Sequence, residues 1–404
     1  MPAAPADLTI SSRWVMPMTR AREVLENHTL VVRDGRILEV LPSTLAAERY
    51  ASTVHMDRAH HVVLPGLVNT LTRLTPQVGH DAVLAGIAEM LAAGTTCFCG
   101  TGYFPEETAR TAMEQGVRAL IGIPIAESPS PWAKSPGEYL TRALNFRDEY
   151  RGHPSLATAF APQSPCAISN ATFLRIATLA DELDAGIVIA LHESQAEIEE
   201  SLKLYGQRPL ERLDALGLLT PALTGLYLAH VNAADLAVAQ RGGIAITLCP
   251  EATMRAGHGL PPVAAWAATE MRLSVGSGIG EPGASRDLWT PNRMFALLSQ
   301  AAGDAPPHAD AAWEALMAAT CGGAAALGLD GEIGTLERGK WADVCCLDLE
   351  TPCMQRQSLE GTHTAATRLV FNGGRDLVSD VWVAGRHLLN RGAFTRLDWP
   401  TRGS

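Results

Sequence analysis

Eight short apolar runs, each followed by a segment that reads as helix, recur through the middle of the chain and limit what it can fold into. They are VVLPGLVN (62–69), TTCFC (95–99), RALIGI (118–123), LATAFAP (156–162), GIVIAL (186–191), GLYLAH (225–230), IAITLC (244–249) and LSVGSG (273–278). Strands this apolar on both faces belong to parallel sheets covered by helices. The intervening segments, DAVLAGIAEMLAAG, PEETARTAMEQG and NATFLRIATLADELDAG among them, have helical spacing, and several close on Gly, the usual C-cap. Eight such units in roughly 270 residues predict a (β/α)8 TIM-type barrel in an α/β chain. A doubly wound open sheet is the other arrangement, but no G-x-G-x-x-G follows an early strand, which argues against a dinucleotide fold.

The two ends are patterned differently. ADLTISSRWVMPM and HTLVVRDGRILEVLP alternate as strands, with Asp34-Gly35 as a turn signal, and WADVCCLDL and VSDVWVAGRHLL repeat the pattern near the C-terminus. Both ends therefore are expected to meet in a small β-sandwich domain. The division is 1–61 for its N-terminal part, 62–334 for the barrel and 335–404 for its C-terminal part.

Composition narrows the function classes. The chain has 404 residues, 47% hydrophobic and 19% charged, with a net charge of -11 and no basic cluster. Nucleic acid and anionic membrane are poor partners for such a surface. No secretory signal is visible and no apolar run approaches the roughly 18 residues of a membrane span. The eight cysteines are not spaced as a disulfide framework; Cys97 and Cys99 read as buried strand thiols before they read as metal ligands. A reduced, cytoplasmic setting is expected.

The motifs carry a resemblance. VVLPGLVNTLTRL resembles the entry strand of the amidohydrolase superfamily, IALHESQAEIEESL its fifth strand, and LAHVNAADLAVAQRGGIAITLCPEA its sixth and seventh. The chain is similar to the branch holding triazine chlorohydrolases and methylthioadenosine/S-adenosylhomocysteine deaminases. That resemblance implies hydrolysis of a C–N or C–Cl bond on a nitrogen heterocycle by a metal-bound hydroxide at the barrel mouth. It also implies where the metal ligands fall, and there the chain departs: Leu71 and Arg73 stand for the first two histidines, Ala190 for the third and Gly278 for the final aspartate.

Glu193 and His230 remain as candidate catalytic groups, with Arg73, Gln163 and His192 as candidate ligand-binding residues. Arg73 is expected to pair with Glu193 across the emptied site or to clamp an anion with its planar fork. His192 is expected to face the helix layer or the strand end. Cys99 and Cys166 lack an evident activating partner, so neither reads as a nucleophile. From the four lost positions, the sequence alone predicts no cofactor and a catalytically deficient homologue, a ligand-binding protein or a partner subunit. It leaves enzyme status uncertain and sets metal-dependent hydrolysis aside. A small heterocyclic or anionic ligand and a homodimer, or a hetero-oligomer with a related subunit, are the expected partners. A deaminase- or chlorohydrolase-like enzyme, or metal-free chemistry in the same pocket, is the alternative.

Overall fold

The computed structural model describes residues 3–19, 22–74, 79–279, 284–301, 310–350 and 362–397. The first four strands are β1 (Ala4–Val15), β2 (Leu25–Arg33), β3 (Arg36–Pro42) and β4 (Tyr50–Pro65). Eight more follow through the middle: β5 (Leu67–Thr72), β6 (Thr95–Thr101), β7 (Arg118–Ile125), β8 (Leu156–Pro162), β9 (Gly186–Leu191), β10 (Leu223–Tyr227), β11 (Ala245–Leu248) and β12 (Arg272–Val275). The chain ends with β13 (Val344–Asp348), β14 (Val378–Val383), β15 (Arg386–Asn390) and β16 (Ala393–Phe394).

Strands β5 to β12 pair in chain order, all parallel. The two ends of this sheet meet: Thr72 bridges Gly278, and the Gly278 N–H donates to the Leu71 carbonyl at 2.9 Å. The result is the eight-stranded barrel, nearly closed. Side-chain alternation builds two layers of core. Val68, Leu71, Cys97, Cys99, Leu120, Val188 and Leu226 fill the interior, while Leu67, Phe98, Ile121, Ile123, Ile187 and Ile189 pack outward under the helices. Cys97 and Cys99 are thus interior thiols, fully buried.

The remaining strands form one mixed sheet in the order β16-β15-β14-β13-β4-β1-β2-β3, so both chain ends build it. Strand β4 is its hinge: it runs parallel to β1 and antiparallel to β13. Strand β4 then passes into β5 through Gly66. A Cβ there would lie 2.1 Å from the Thr96 hydroxyl, so only glycine lets the chain approach the barrel this closely. Among the described residues, no helix is long and apolar enough to cross a membrane.

Candidate active site

The C-terminal ends of the barrel strands surround a cavity of about 290 Å³. Arg73 beyond β5, Thr101 and Tyr103 at β6, Gln163 after β8 and Ala190 on β9 contribute to its wall. In barrels of this kind the strand ends and following loops carry the chemistry. Arg73 and Gln163 therefore both reach the mouth.

Glu193 stands at the rim just past β9. Its carboxyl is pushed above the ordinary range, chiefly by burial, against the opposing pull of His258 and Arg73. The nearest basic side chain is His258, whose Nδ1 lies 4.0 Å from Glu193 Oε1. His258 sits between Gly257 and Gly259, both with positive φ, in the turn after the short helix Pro250–Arg255. Its Nδ1 is buried and has no hydrogen-bond partner among the described residues. The expected Arg73–Glu193 ion pair does not form. The reason lies in strand order: β5 and β9 are four strands apart in an eight-stranded barrel and face each other across the cavity.

Glu197 fixes how Glu193 is presented. The helix Gln195–Tyr205 is capped by Ser194, whose hydroxyl accepts the Glu197 N–H at 3.2 Å. The Glu197 carboxylate bends back to accept the His192 N–H at 2.8 Å, and it also accepts from the Glu193 N–H. Burial pushes this carboxyl up to about 7, and the neighbouring Glu193 adds to the effect.

His192 is fully buried and does not line the cavity. Strand parity would send it inward with Ala190, but its φ of 51° turns it toward the gap between β9, β10 and the helix Pro209–Ala215. Burial, first of all, pulls its pKa down to about 4, so the ring is neutral. Nε2 accepts the Leu210 N–H at 3.1 Å, which leaves Nδ1 to donate to the His230 carbonyl at 3.1 Å. Arg208 donates to the same carbonyl at 2.9 Å and is itself held by Asp235. His192 is therefore a strut, and its ring has no nitrogen left for a ligand.

His230 is what that strut supports. Its main chain is fixed, while its ring Nε2 is buried with no partner among the described residues. Beside it, Tyr227 and Leu228 both have positive φ, and the Tyr227 hydroxyl accepts the Ile279 N–H at 2.9 Å. Left-handed backbone at non-glycine residues, three times on two adjacent strand ends, is strain of the kind found at working sites.

The four positions implied as metal ligands carry no donors. Leu71 is fully buried in the barrel interior and Ala190 offers a methyl group. Gly278 has φ 81°, and a Cβ there would lie 2.4 Å from Ala252 Cβ. Among the described residues no group of three or more His, Cys, Asp or Glu could hold a metal ion. Cys99 and Cys166 are poor nucleophiles, since burial pushes their thiols up to about 12 and about 11.

Barrel, appended sheet and rim carboxylate together define an amidohydrolase: residues 62–388 match the amidohydrolase family, and the chain belongs to it. Proteins similar to it include deaminases. It is 32% identical to a 5-methylthioadenosine/S-adenosylhomocysteine deaminase of Teredinibacter turnerae, over 97% of this chain and 94% of that protein. A protein of the same description from Saccharophagus degradans is 31% identical over 98% and 94%. Among solved structures, a zinc-bound adenosine deaminase from Xanthomonas campestris superposes with a TM-score of 0.92 at 32% identity, covering 99% of this chain and 96% of that one. The zinc-bound atrazine chlorohydrolase of Arthrobacter aurescens shares the fold, with a TM-score of 0.84 at 19% identity over 96% of each chain.

These likenesses correct two expectations. The chain is not to be read as a catalytically deficient scaffold or partner subunit, nor is metal-dependent hydrolysis to be set aside from four positions alone. Over nearly its full length it matches deaminases, one of them zinc-bound. The physical reason is that the ligand positions are one part of the mouth. The cavity, the rim carboxyl and the free imidazole of His230 persist around them.

Proposed function

We propose that this protein is a hydrolase that removes an amino group from a nitrogen heterocycle. Water adds to the ring carbon, the exocyclic C–N bond breaks, ammonia leaves and a ring carbonyl remains. The observation that carries the reading is Glu193: a carboxyl raised by burial, just past the C-terminal end of β9 and within the field of Arg73 on the cavity wall, in a chain similar to deaminases.

A carboxyl tuned upward can take a proton from water and return it to the departing amine, the two transfers this reaction needs. Glu197 orients it through the His192 and Glu193 N–H groups. Gln163 offers a neutral amide on the wall, and His230 and His258 each keep a buried ring nitrogen with no hydrogen-bond partner among the described residues. Zinc, which the Xanthomonas relative holds, supplies an acidified water where it binds. The residues described here do not fit that ion: Leu71, Ala190 and Gly278 bring no donor atom, and the space at Gly278 admits no side chain. The seven described cysteines are all free, which supports a reducing, cytoplasmic setting.

The test is ammonia release by the purified chain from aminated purines, pyrimidines and triazines, as free bases and as nucleosides. Steady release is expected from at least one of them, lowered about 10²- to 10⁴-fold in Glu193→Gln. No release above that variant from any of these amines would overturn the reading.

A further inference from the structure

We infer that the mouth selects a base-sized heterocycle bearing a carboxylate, with Arg73 as its clamp; this rests on the hydrolase reading of the same site. Arg73 is the one cation among the described residues of the cavity wall, and its guanidinium makes no hydrogen bond or ion pair to a described residue. Its main-chain carbonyl alone is engaged, accepting from Arg286 Nη2 at 3.3 Å. Arginines elsewhere in the fold are held by named partners: Arg58 by Asp380, Arg118 by Asp343, Arg208 by Asp235.

The rest of the described wall is neutral. Thr101, Tyr103 and Gln163 are its polar members, the remainder is apolar or backbone glycine, and no carboxylate lines it. Glu193 stands outside the lining, and its nearest basic neighbour is the His258 ring, not the Arg73 guanidinium. A single positive charge at the edge of an apolar concavity focuses its field inward and favours an anion. The guanidinium fork matches a carboxylate in two parallel hydrogen bonds. The Thr101 hydroxyl, buried with no partner among the described residues, adds a further hydrogen-bonding group at the same wall. Size completes the assignment. A cavity of about 290 Å³ is at the lower end of ligand pockets, and it suits a ring with a short substituent better than a nucleoside.

Matched pairs test the clamp by titration calorimetry: 6-aminonicotinate against 6-aminonicotinamide, and 5-carboxycytosine against its carboxamide. In at least one pair the carboxylate is expected to bind about tenfold or more tightly at low salt. Arg73→Gln should erase that preference, and Arg73→Lys should keep only part of it. Because Arg73 is exposed, both variants are expected to match the parent thermal midpoint, which establishes that they are folded. Equal binding within each pair, a preference surviving Arg73→Gln, or no binding by any of the four compounds would overturn the inference. Ammonia release separates the two proposals. A carboxylate that binds through Arg73 without releasing ammonia upholds the clamp and counts against the hydrolase. Ammonia from neutral amines with no carboxylate preference does the reverse.

Discussion

Glu197 ties the charge on one side chain to the position of another, because the carboxyl that accepts the His192 and Glu193 N–H groups is itself raised to about 7 by burial. The sign of its effect on stability follows from linkage. With the folded pKa above the unfolded value, the folded state binds more protons between them, so this contribution is full below about pH 4 and fades as pH rises through 7. Glu197's own contribution to the unfolding free energy is expected to fall between pH 5 and 7.5 by up to about 3 kcal/mol, against an opposing rise from His192, whose folded pKa lies below its unfolded one. Glu197→Gln should remove most of that slope, as read from urea melts at several pH values; parallel slopes in the two proteins would refute it. The variant should also lower kcat more than it raises KM, since Glu193 would remain but lose its orientation. Of this site, Glu193, His230, Arg73 and Gln163 were legible because each follows a recognisable apolar strand. His258 was not, because it lies 65 positions beyond Glu193 in a glycine-flanked turn without periodicity. Glu197 left a faint signal in the S-x-x-E spacing from Ser194, a capping pattern whose carboxylate here serves the preceding strand end instead.

Two buried ion pairs join elements that propensity alone would leave separate. Arg118, the first residue of β7, donates Nε and Nη2 to the carboxylate of Asp343 just before β13, at 2.8 and 3.3 Å, and so fastens the barrel to the appended sheet. Within that sheet Arg58 on β4 reaches Asp380 on β14 at 2.9 and 2.6 Å, and His387 and Ser379 complete the set. Burial favours protonation of Asp380, but the hydrogen bonds from His387, Arg58 and Ser379 outweigh it and hold the carboxyl well below its usual range. That contribution is present above the unfolded pKa and is lost as pH falls through the folded one. Removing one partner strands the other: Arg118→Met or Asp380→Asn should each cost about 3–5 kcal/mol in chemical denaturation. The double variant Arg118→Met/Asp343→Leu should recover a good part of the first loss, and failure to do so would mean that the pair is not the link it is taken for. None of this pairing was visible in the sequence, because it spans 225 and 322 positions. The strands themselves were: β8 and β9 have the limits that their apolar runs mark. The sixth run ends early in β10 because the left-handed backbone at Tyr227 and Leu228 stops the strand.

At the scale of the molecule, barrel and sheet share one core. Val62, Leu64, Cys345 and Leu347 of β4 and β13 belong to the same apolar cluster as Leu67, Phe98 and Ile121 of the barrel. A fragment cut to residues 62–334 would expose that surface and leave Arg118 unpaired, so it is expected to aggregate on expression while the full chain stays soluble. A monodisperse, cooperatively unfolding fragment would disprove the dependence. The placement of β4 between β1 and β13 has a further consequence, for the chain while it is being made. Strand β4 is complete at Pro65, but its neighbour begins at Val344. At about 5–20 residues per second the ribosome needs roughly 15 to 60 s to supply it. Throughout that interval the nascent chain carries an open strand edge, and once β12 has been made at Val275 it carries a barrel lacking its seal as well, which makes the synthesis of β13 the step on which the yield of native protein depends.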